Sequence, residues 1–393
     1  MFELIKGRGR NVFASSDAVI YLFNGFRYSG INPPDKYRKQ YFFYTILTFS
    51  LVIFSPVISN IGLVRDRNKL SVMEILNGLQ ASINIVALPI KRTVLTLAQK
   101  RLRSVEPILN KLDERYTRPE DKLKIRECAI MGNRLVLGFA VAFPMYYALS
   151  LVAALVDRHV PVSFWIPNVD WRRSLWEYWL QVGFDTSLGL FLIYQEVLSD
   201  SYPSVYIYII RTQIQLLADR MERLGYDEEK SSDDNYNELL ECIVMHQEIL
   251  RIAEIVGSII SVTVFTQLLF TATILGITMI NIAIFADLAT KIAAIIYLLC
   301  VLMQTSPTCY HASFLLADCE KLCQAIFKCN WFAQNKRFNN LLIYFLHRSQ
   351  QLIPFFGMKL VPINLATNLS IAKFSFTLFT FMEKMGLGEN LKD

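Results

Sequence analysis

Polar side chains are spread along the last apolar stretch of this chain, among them Asn364, Asn368, Ser370, Lys373, Ser375, Thr377, Thr380 and Glu383. A lysine on such a helix is expensive against lipid, so at least one face must meet water or protein. Four copies around a common axis could line an aqueous path, whereas one copy could not. Ser375, Phe379 and Glu383, or alternatively Phe376 and Thr380, lie one helical repeat apart and are the candidate lining positions. The competing reading is a packed helix whose Lys373 snorkels to the interface.

A second constellation suits recognition. Asn84 and Ile85, then Phe143, Tyr146, Tyr147 and Ser150, then Trp179 and Val182, then Leu299 and Met303 fall on four separate apolar segments. Aromatic, aliphatic and sulfur groups with a few hydroxyls and amides suit small, mostly neutral ligands held by shape and one or two hydrogen bonds. For any one of these residues, contact with lipid or a neighbouring helix is the alternative. Asp185, in the middle of an apolar segment, must face protein or water, as a cavity group or a hydrogen-bonded structural group. Catalytic patterns are missing: there is no phosphate-cradling glycine loop, no Ser/His/Asp arrangement and no HExxH, and the four histidines are isolated. An enzyme is not expected, nor a cofactor, a metal or a nucleic-acid partner. Cys319, Cys323 and Cys329 near His311 match no zinc-finger spacing.

The elements that must position these groups are membrane helices. Charge-free runs cover Tyr41 to Val64, Leu135 to Val156, Ile255 to Phe285 and Ile292 to Ala317, and each is long enough to span a bilayer. Three further segments carry charges: Met73 to Ile90, Tyr178 to Ile210 (Asp185, Glu196, Asp200) and Ile363 to Phe381 (Lys373). The expected fold is an all-α membrane protein of seven transmembrane helices in a single domain over 1–393, with spans near 41–64, 72–95, 130–156, 176–210, 245–285, 290–318 and 352–382. No apolar core of signal-peptide length precedes the first span, so it is expected to insert by itself. Alternate connections hold 29 and 9 Lys plus Arg, which places the N-terminus in the cytoplasm. All seven cysteines fall in spans or on that side, where thiols stay reduced.

The connections on the basic side, near 95–130, 211–255 and 315–350, carry leucines and isoleucines at helical spacing, as expected of helices extending below the bilayer into an anchor bundle. Helices lying flat on anionic lipid are the alternative. Asp227 to Glu241, acidic and rich in Ser and Asn, reads as a loop. The outer loop 157–177 is the one substantial outer connection. A G-protein-coupled receptor would need its N-terminus outside, and it would carry Asp-Arg-Tyr after the third span and Asn-Pro-x-x-Tyr in the seventh; none of these fits. No inverted repeat supports a transporter.

Several stretches are similar to the insect odorant receptors: Cys329-Asn330-Trp331, Phe345 to Gln350, Phe356-Gly357-Met358, Phe374-Ser375-Phe376, and Ser16 to Pro34. The resemblance implies an inverted seven-span topology and an odorant-gated cation channel that works as a heteromer, a tetramer, with a shared co-receptor subunit. It also implies a ligand cavity among spans 2, 3, 4 and 6, a pore lined by the last helix, volatile odorants as ligands, and residence in the plasma membrane of sensory-neuron dendrites. The chain resembles a ligand-tuning subunit, because only Arg211 to Arg251 stands where the co-receptor carries a long insertion. Related gustatory receptors, the second family considered, close with a Thr-Tyr-to-Gln-Phe pattern that Ser375-Phe376 and Met382-Glu383 do not follow.

Overall fold

The computed structural model describes residues 13–384, apart from positions 35, 71, 157, 161, 163, 286 and 287. A 3-10 turn over Ser15–Val19 leads into α1 (Ile20–Tyr28), α2 (Arg38–Asp66), α3 (Val72–Arg103), α4 (Val105–Glu114), α5 (Pro119–Val156) and α6 (Leu175–Glu222). Then come α7 (Ser232–Phe285), α8 (Leu288–Lys328), α9 (Lys336–Ser349), a two-stranded hairpin of β1 (Phe356–Gly357) and β2 (Val361–Pro362), and α10 (Leu365–Lys384). Among the described residues, α2, α3, α5, α6, α7, α8 and α10 are the long helices, as the seven-span expectation requires. Four segments there are apolar and long enough to cross a membrane by composition alone: Arg38–Asp66, Glu74–Glu114, Pro119–Val156 and Ser232–Ile280. α6 and α10 carry the polar and charged residues already noted, and part of α8 lies outside the described side chains.

The fold departs from the sequence-based expectations in two places. Asp227 to Glu241 is not all loop, because α7 already begins at Ser232. Ser231 explains this: the Asp234 N–H donates to its hydroxyl at 3.2 Å, and its own N–H donates to the Asp234 carboxylate at 3.1 Å, a reciprocal cap that starts a helix in an acidic stretch. The last helix begins at Leu365 rather than near 352, since Pro354, Gly357 and Pro362 favour an extended hairpin. Consecutive left-handed residues Met358 and Lys359 (φ 51° and 60°) turn that hairpin.

Among the described residues, five helices carry a proline in their interior, beyond the first turn: Pro56 in α2, Pro89 in α3, Pro144 in α5, Pro203 in α6 and Pro307 in α8. Proline frees the carbonyl four residues back, which lipid cannot satisfy. At Pro56 that carbonyl belongs to Val52, and the Ser55 hydroxyl donates to it at 2.9 Å.

Below the apolar runs, the lower halves of α5 to α8 join α1, α4 and α9 in one continuous core. Tyr202, Ile207, Ile214, Leu239, Ile249 and Leu315 are among its completely buried members. Burying such a side chain from water contributes about 1.5–3 kcal/mol, a driving force that helix pairs within lipid lack. The expected anchor bundle is therefore present, built from the three segments the sequence nominated. Polar clamps set its register. Arg211 on α6 donates to Asp318 on α8 at 2.8 Å, and Gln215 donates to the same carboxylate at 3.0 Å. Asp113 on α4 accepts from the Ser15 N–H and hydroxyl at 2.5 and 2.9 Å, and from Gln213 at 2.9 Å. Asn133 on α5 accepts from the Tyr21 N–H at 3.0 Å and donates to the Asp17 carbonyl at 2.7 Å. Cys329, its thiol pushed by burial to about 11, donates to the Ile326 carbonyl. A thiol held protonated in this way is a packing group and a poor metal ligand.

Gly132 lets α5 approach the N-terminal segment: a Cβ there would lie 2.6 Å from the Ala18 Cβ and 2.8 Å from its carbonyl oxygen. Gly132→Val should therefore cost about 1–3 kcal/mol by overpacking, read as a lower melting temperature of the detergent-purified chain. An unchanged melt would show that this approach is not tight.

Candidate functional site

Tyr146 comes from α5 and Tyr297 from α8, and their rings face each other at 5.9 Å between centroids with planes inclined by 30°. Tyr297 also interacts electrostatically with Cys300 on its own helix and with Glu196 on α6. The Glu196 carboxyl group is hydrogen-bonded by the Asn84 side chain on α3. Four helices, α3, α5, α6 and α8, thus contribute to one junction. Asn84 and Tyr146 are among the residues nominated from sequence for ligand recognition; Glu196, Tyr297 and Cys300 are not.

Glu196 is one helical turn from Asp200, and both are buried. Lys91 on α3 donates to Asp200 at 2.6 Å, with both side chains almost completely enclosed. One ammonium therefore serves two carboxylates. The Oε1 atom of Glu196 and the Oδ2 atom of Asp200 have no hydrogen-bond partner. Next along α3, Arg92 turns to a different set of acceptors: the Gln195 side-chain oxygen, the Ser29 carbonyl at 2.6 Å and the Ser29 hydroxyl at 3.1 Å. Charges of opposite sign on α3 and α6 were the available sequence signal, but the charge count placed Lys91 and Arg92 in a connection.

Asp185 is buried and hydrogen-bonded within the protein. Gln181 donates to it at 2.7 Å and, through the same nitrogen, to the Phe164 carbonyl of the outer loop at 2.7 Å. The Tyr147 hydroxyl donates to the Asp185 backbone carbonyl at 3.0 Å. Gly189 makes room for that hydroxyl, which would collide with any Cβ there. The outer loop is held further by Trp165 N–H to the Ile58 carbonyl at 3.0 Å and by Arg172 to Asp66 at 3.4 Å.

The other nominated recognition residues divide by exposure. Ile85, Tyr147 and Val182 are buried, and Phe143 and Ser150 are half-buried, Phe143 edge-on to Phe139 at 5.4 Å. Trp179, Leu299 and Met303 are exposed on this protomer, Met303 by 62%, and do not join the junction around Tyr297.

α10 packs against α7 and α8. Asn368 locks it to α8: its oxygen accepts from the Thr305 hydroxyl at 2.8 Å and its nitrogen donates to the Ser306 hydroxyl at 2.9 Å. Exposure separates the two candidate lining stripes. Ser375 is fully buried inside the protomer, its hydroxyl donating to the Ile371 carbonyl at 3.0 Å, whereas Phe376 is 63% exposed. Ser370, Lys373 and Thr377 are exposed beside Phe376, and Thr380 is half-buried. The side chains of Phe379 and Glu383 lie outside the described residues.

Comparison with known proteins is consistent across sequence and fold. Residues 71–376 match the family model described as 7tm Odorant receptor. The chain is 32% identical over 379 residues to Odorant receptor 42a of Drosophila melanogaster, covering 96% of this chain and 93% of that one. It is 33% identical over 383 residues to Odorant receptor 43b of the same organism, covering 96% and 94%. Among solved structures, the olfactory receptor OR5 of Machilis hrabei superposes with a TM-score of 0.76 at 16% identity over 93% of this chain and 97% of that one. The same receptor in complex with eugenol matches with the same TM-score.

Stranding one member of a buried pair is more costly than removing both. Lys91→Met should destabilise the purified chain by about 3–5 kcal/mol, and Lys91→Met/Asp200→Leu should recover much of that loss. A double variant that melts as low as the single one would contradict the pairing.

Proposed function

This chain belongs to the insect odorant receptor family, and on that premise we propose that it is the odorant-binding subunit of a ligand-gated, non-selective cation channel that opens in a heteromer with the family's shared co-receptor. The observation that carries this reading is the junction where Asn84, Tyr146, Glu196 and Tyr297 converge from four helices. It is an aromatic-walled site with few polar groups, suited to a small volatile molecule. The eugenol complex of the Machilis receptor supports a ligand of this kind.

In this reading the N-terminus and the anchor bundle are cytoplasmic, supported by the 29 to 9 excess of basic residues, and the protein resides in the plasma membrane of a sensory dendrite. Phe376 and Thr380, with Lys373 and Thr377 beside them, form the face of α10 that lines the shared path. Ser375 belongs to the packed face. Ile85, Phe143, Tyr147, Ser150 and Val182 shape the walls around the junction. Trp179, Leu299 and Met303 act from its lipid-facing or subunit-facing edge.

Opening follows from differential affinity: a ligand preferring the open arrangement tenfold shifts the equilibrium by about 1.4 kcal/mol. The physical path is short. Tyr297 and the Thr305–Ser306 grip on Asn368 lie on one helix, about 12 Å apart along its axis at 1.5 Å per residue. A wedge at Tyr297 therefore pushes on the helix that holds α10.

Whole-cell recording tests the proposal. Odorants should evoke cation current when this chain is expressed with the co-receptor and none when it is expressed alone. Tyr297→Ala should raise the half-maximal odorant concentration by up to about tenfold, the size of a lost aromatic contact. Absence of current in the pair, or a response that requires a G protein, would contradict the channel reading.

A further inference from the structure

We propose that Lys373 sets the charge selectivity of the conducting path, its ammonium holding back divalent cations more strongly than monovalent ones. This rests on the channel reading above and deepens it.

Three observations converge on this side chain. The first is its depth. α10 runs from Leu365 to Lys384, which leaves Lys373 about 12 Å from one end of the helix and about 16 Å from the other at 1.5 Å per residue. A four-carbon stem covers neither distance, so the ammonium cannot snorkel to the level of either end.

The second is its lack of partners. Lys373 is exposed on the protomer and makes no hydrogen bond or ion pair among the described residues. It is also the sole charged residue between Asn364 and Met382. Its polar neighbours differ in this respect. The hydroxyls of Ser370, Thr377 and Thr380 each donate to the carbonyl four residues back on the same helix, at 2.8, 2.9 and 3.0 Å. A hydroxyl satisfied in that way tolerates lipid, whereas an ammonium without an acceptor does not. Lys373 is therefore the member of this set that demands water.

The third is the arrangement around it. Ser370, Lys373, Thr377 and Thr380 are spaced by three, four and three residues, which makes one stripe along the helix. The opposite face is the packed one, where Asn368 grips Thr305 and Ser306 on α8 and Ser375 is buried. The stripe thus points away from the protomer's own helices. Exposed apolar side chains border it, Leu369 and Phe376 on one side and Phe374 and Phe381 on the other. A helix facing lipid would be apolar across this whole arc. A polar line between two apolar rows fits a water-filled path that neighbouring copies close laterally.

Electrostatics gives the consequence. The energy of a cation passing a fixed positive charge scales with the ion's own charge. At about 6 Å in water, one ammonium lowers the presence of a monovalent cation roughly threefold and of a divalent cation by the square of that, roughly ninefold. The divalent-to-monovalent permeability ratio therefore falls by up to about threefold, less where salt screens the charge.

Reversal potentials of odorant-evoked current test this, in cells expressing the full-length chain with the co-receptor. Calcium would be the sole external cation and sodium the internal one, so that the potential reports their permeability ratio. The agonist would be whichever of a panel of short-chain esters, alcohols and ketones evokes the largest wild-type current. Lys373→Gln should raise the calcium-to-sodium ratio about two- to threefold, and Lys373→Glu should raise it further. Lys373→Arg, which keeps the charge, should leave it at the wild-type value. If the Gln chain does not reach the cell surface, Lys373→Ser reads the same loss of charge.

A ratio unchanged by both Lys373→Gln and Lys373→Glu, a fall in either, or an equal rise in Lys373→Arg would overturn the inference. Any of these results, obtained with odorant-evoked current present, leaves the channel reading standing. Absence of wild-type current in the pair removes the channel reading, and this inference with it.

Discussion

A polar group inside an apolar bundle must find its partner within the protein, because lipid offers none. This constraint organises the whole molecule. It binds α3 to α6 through Lys91 and Asp200, roofs the bundle by tying Gln181 to both Asp185 and the Phe164 carbonyl, and fastens α10 to α8 through Asn368. It also gives meaning to the exceptions. Glu196 Oε1 is buried without a partner, and Ser370, Lys373 and Thr377 are polar and exposed on a helix of membrane-spanning length. A satisfied polar group holds the fold together.

Two regimes of cohesion follow. Below the bilayer, the anchor gains from the hydrophobic effect and has a dense core that includes Tyr202, Ile214 and Leu315. Within the bilayer that gain is absent, and the helices depend on close approach and hydrogen bonds. At the outer end, Tyr147 packs into the space left by Gly189; at the anchor, Gly132 admits the N-terminal segment. α8 links the two functions, since it supplies Tyr297 above and the hydroxyls that grip α10 below.

Much of this was legible in the residues. Charge-free runs located the helices, and apolar spacing in 95–130, 211–255 and 315–350 announced the anchor. Asn84 and Tyr146, nominated from sequence for ligand recognition, lie on helices that meet at the junction around Tyr297. The remainder depends on distance, which spacing does not encode. Lys91 looked like a charge in a connection because its partner is 109 residues away. Glu196 and Asp200 looked like residues at a helix end until α3 closed over them. Ser375 and Phe376 are neighbours in sequence, and only the packing of α10 on α7 and α8 shows which of them is buried. Pro354, Gly357 and Pro362 could have warned that the last helix starts late, and the Ser231–Asp234 cap that α7 starts early.

The claim most exposed to experiment is that the exposed polar face of α10 meets water in the assembled channel. Cysteines placed one at a time at positions 370, 373, 375 and 377 would be challenged with a charged, membrane-impermeant thiol reagent while odorant holds the channel open. Modification should block current at 370, 373 and 377 and leave 375 untouched. Reaction at 375 with silence at the other three would place the path on the opposite face and contradict the account.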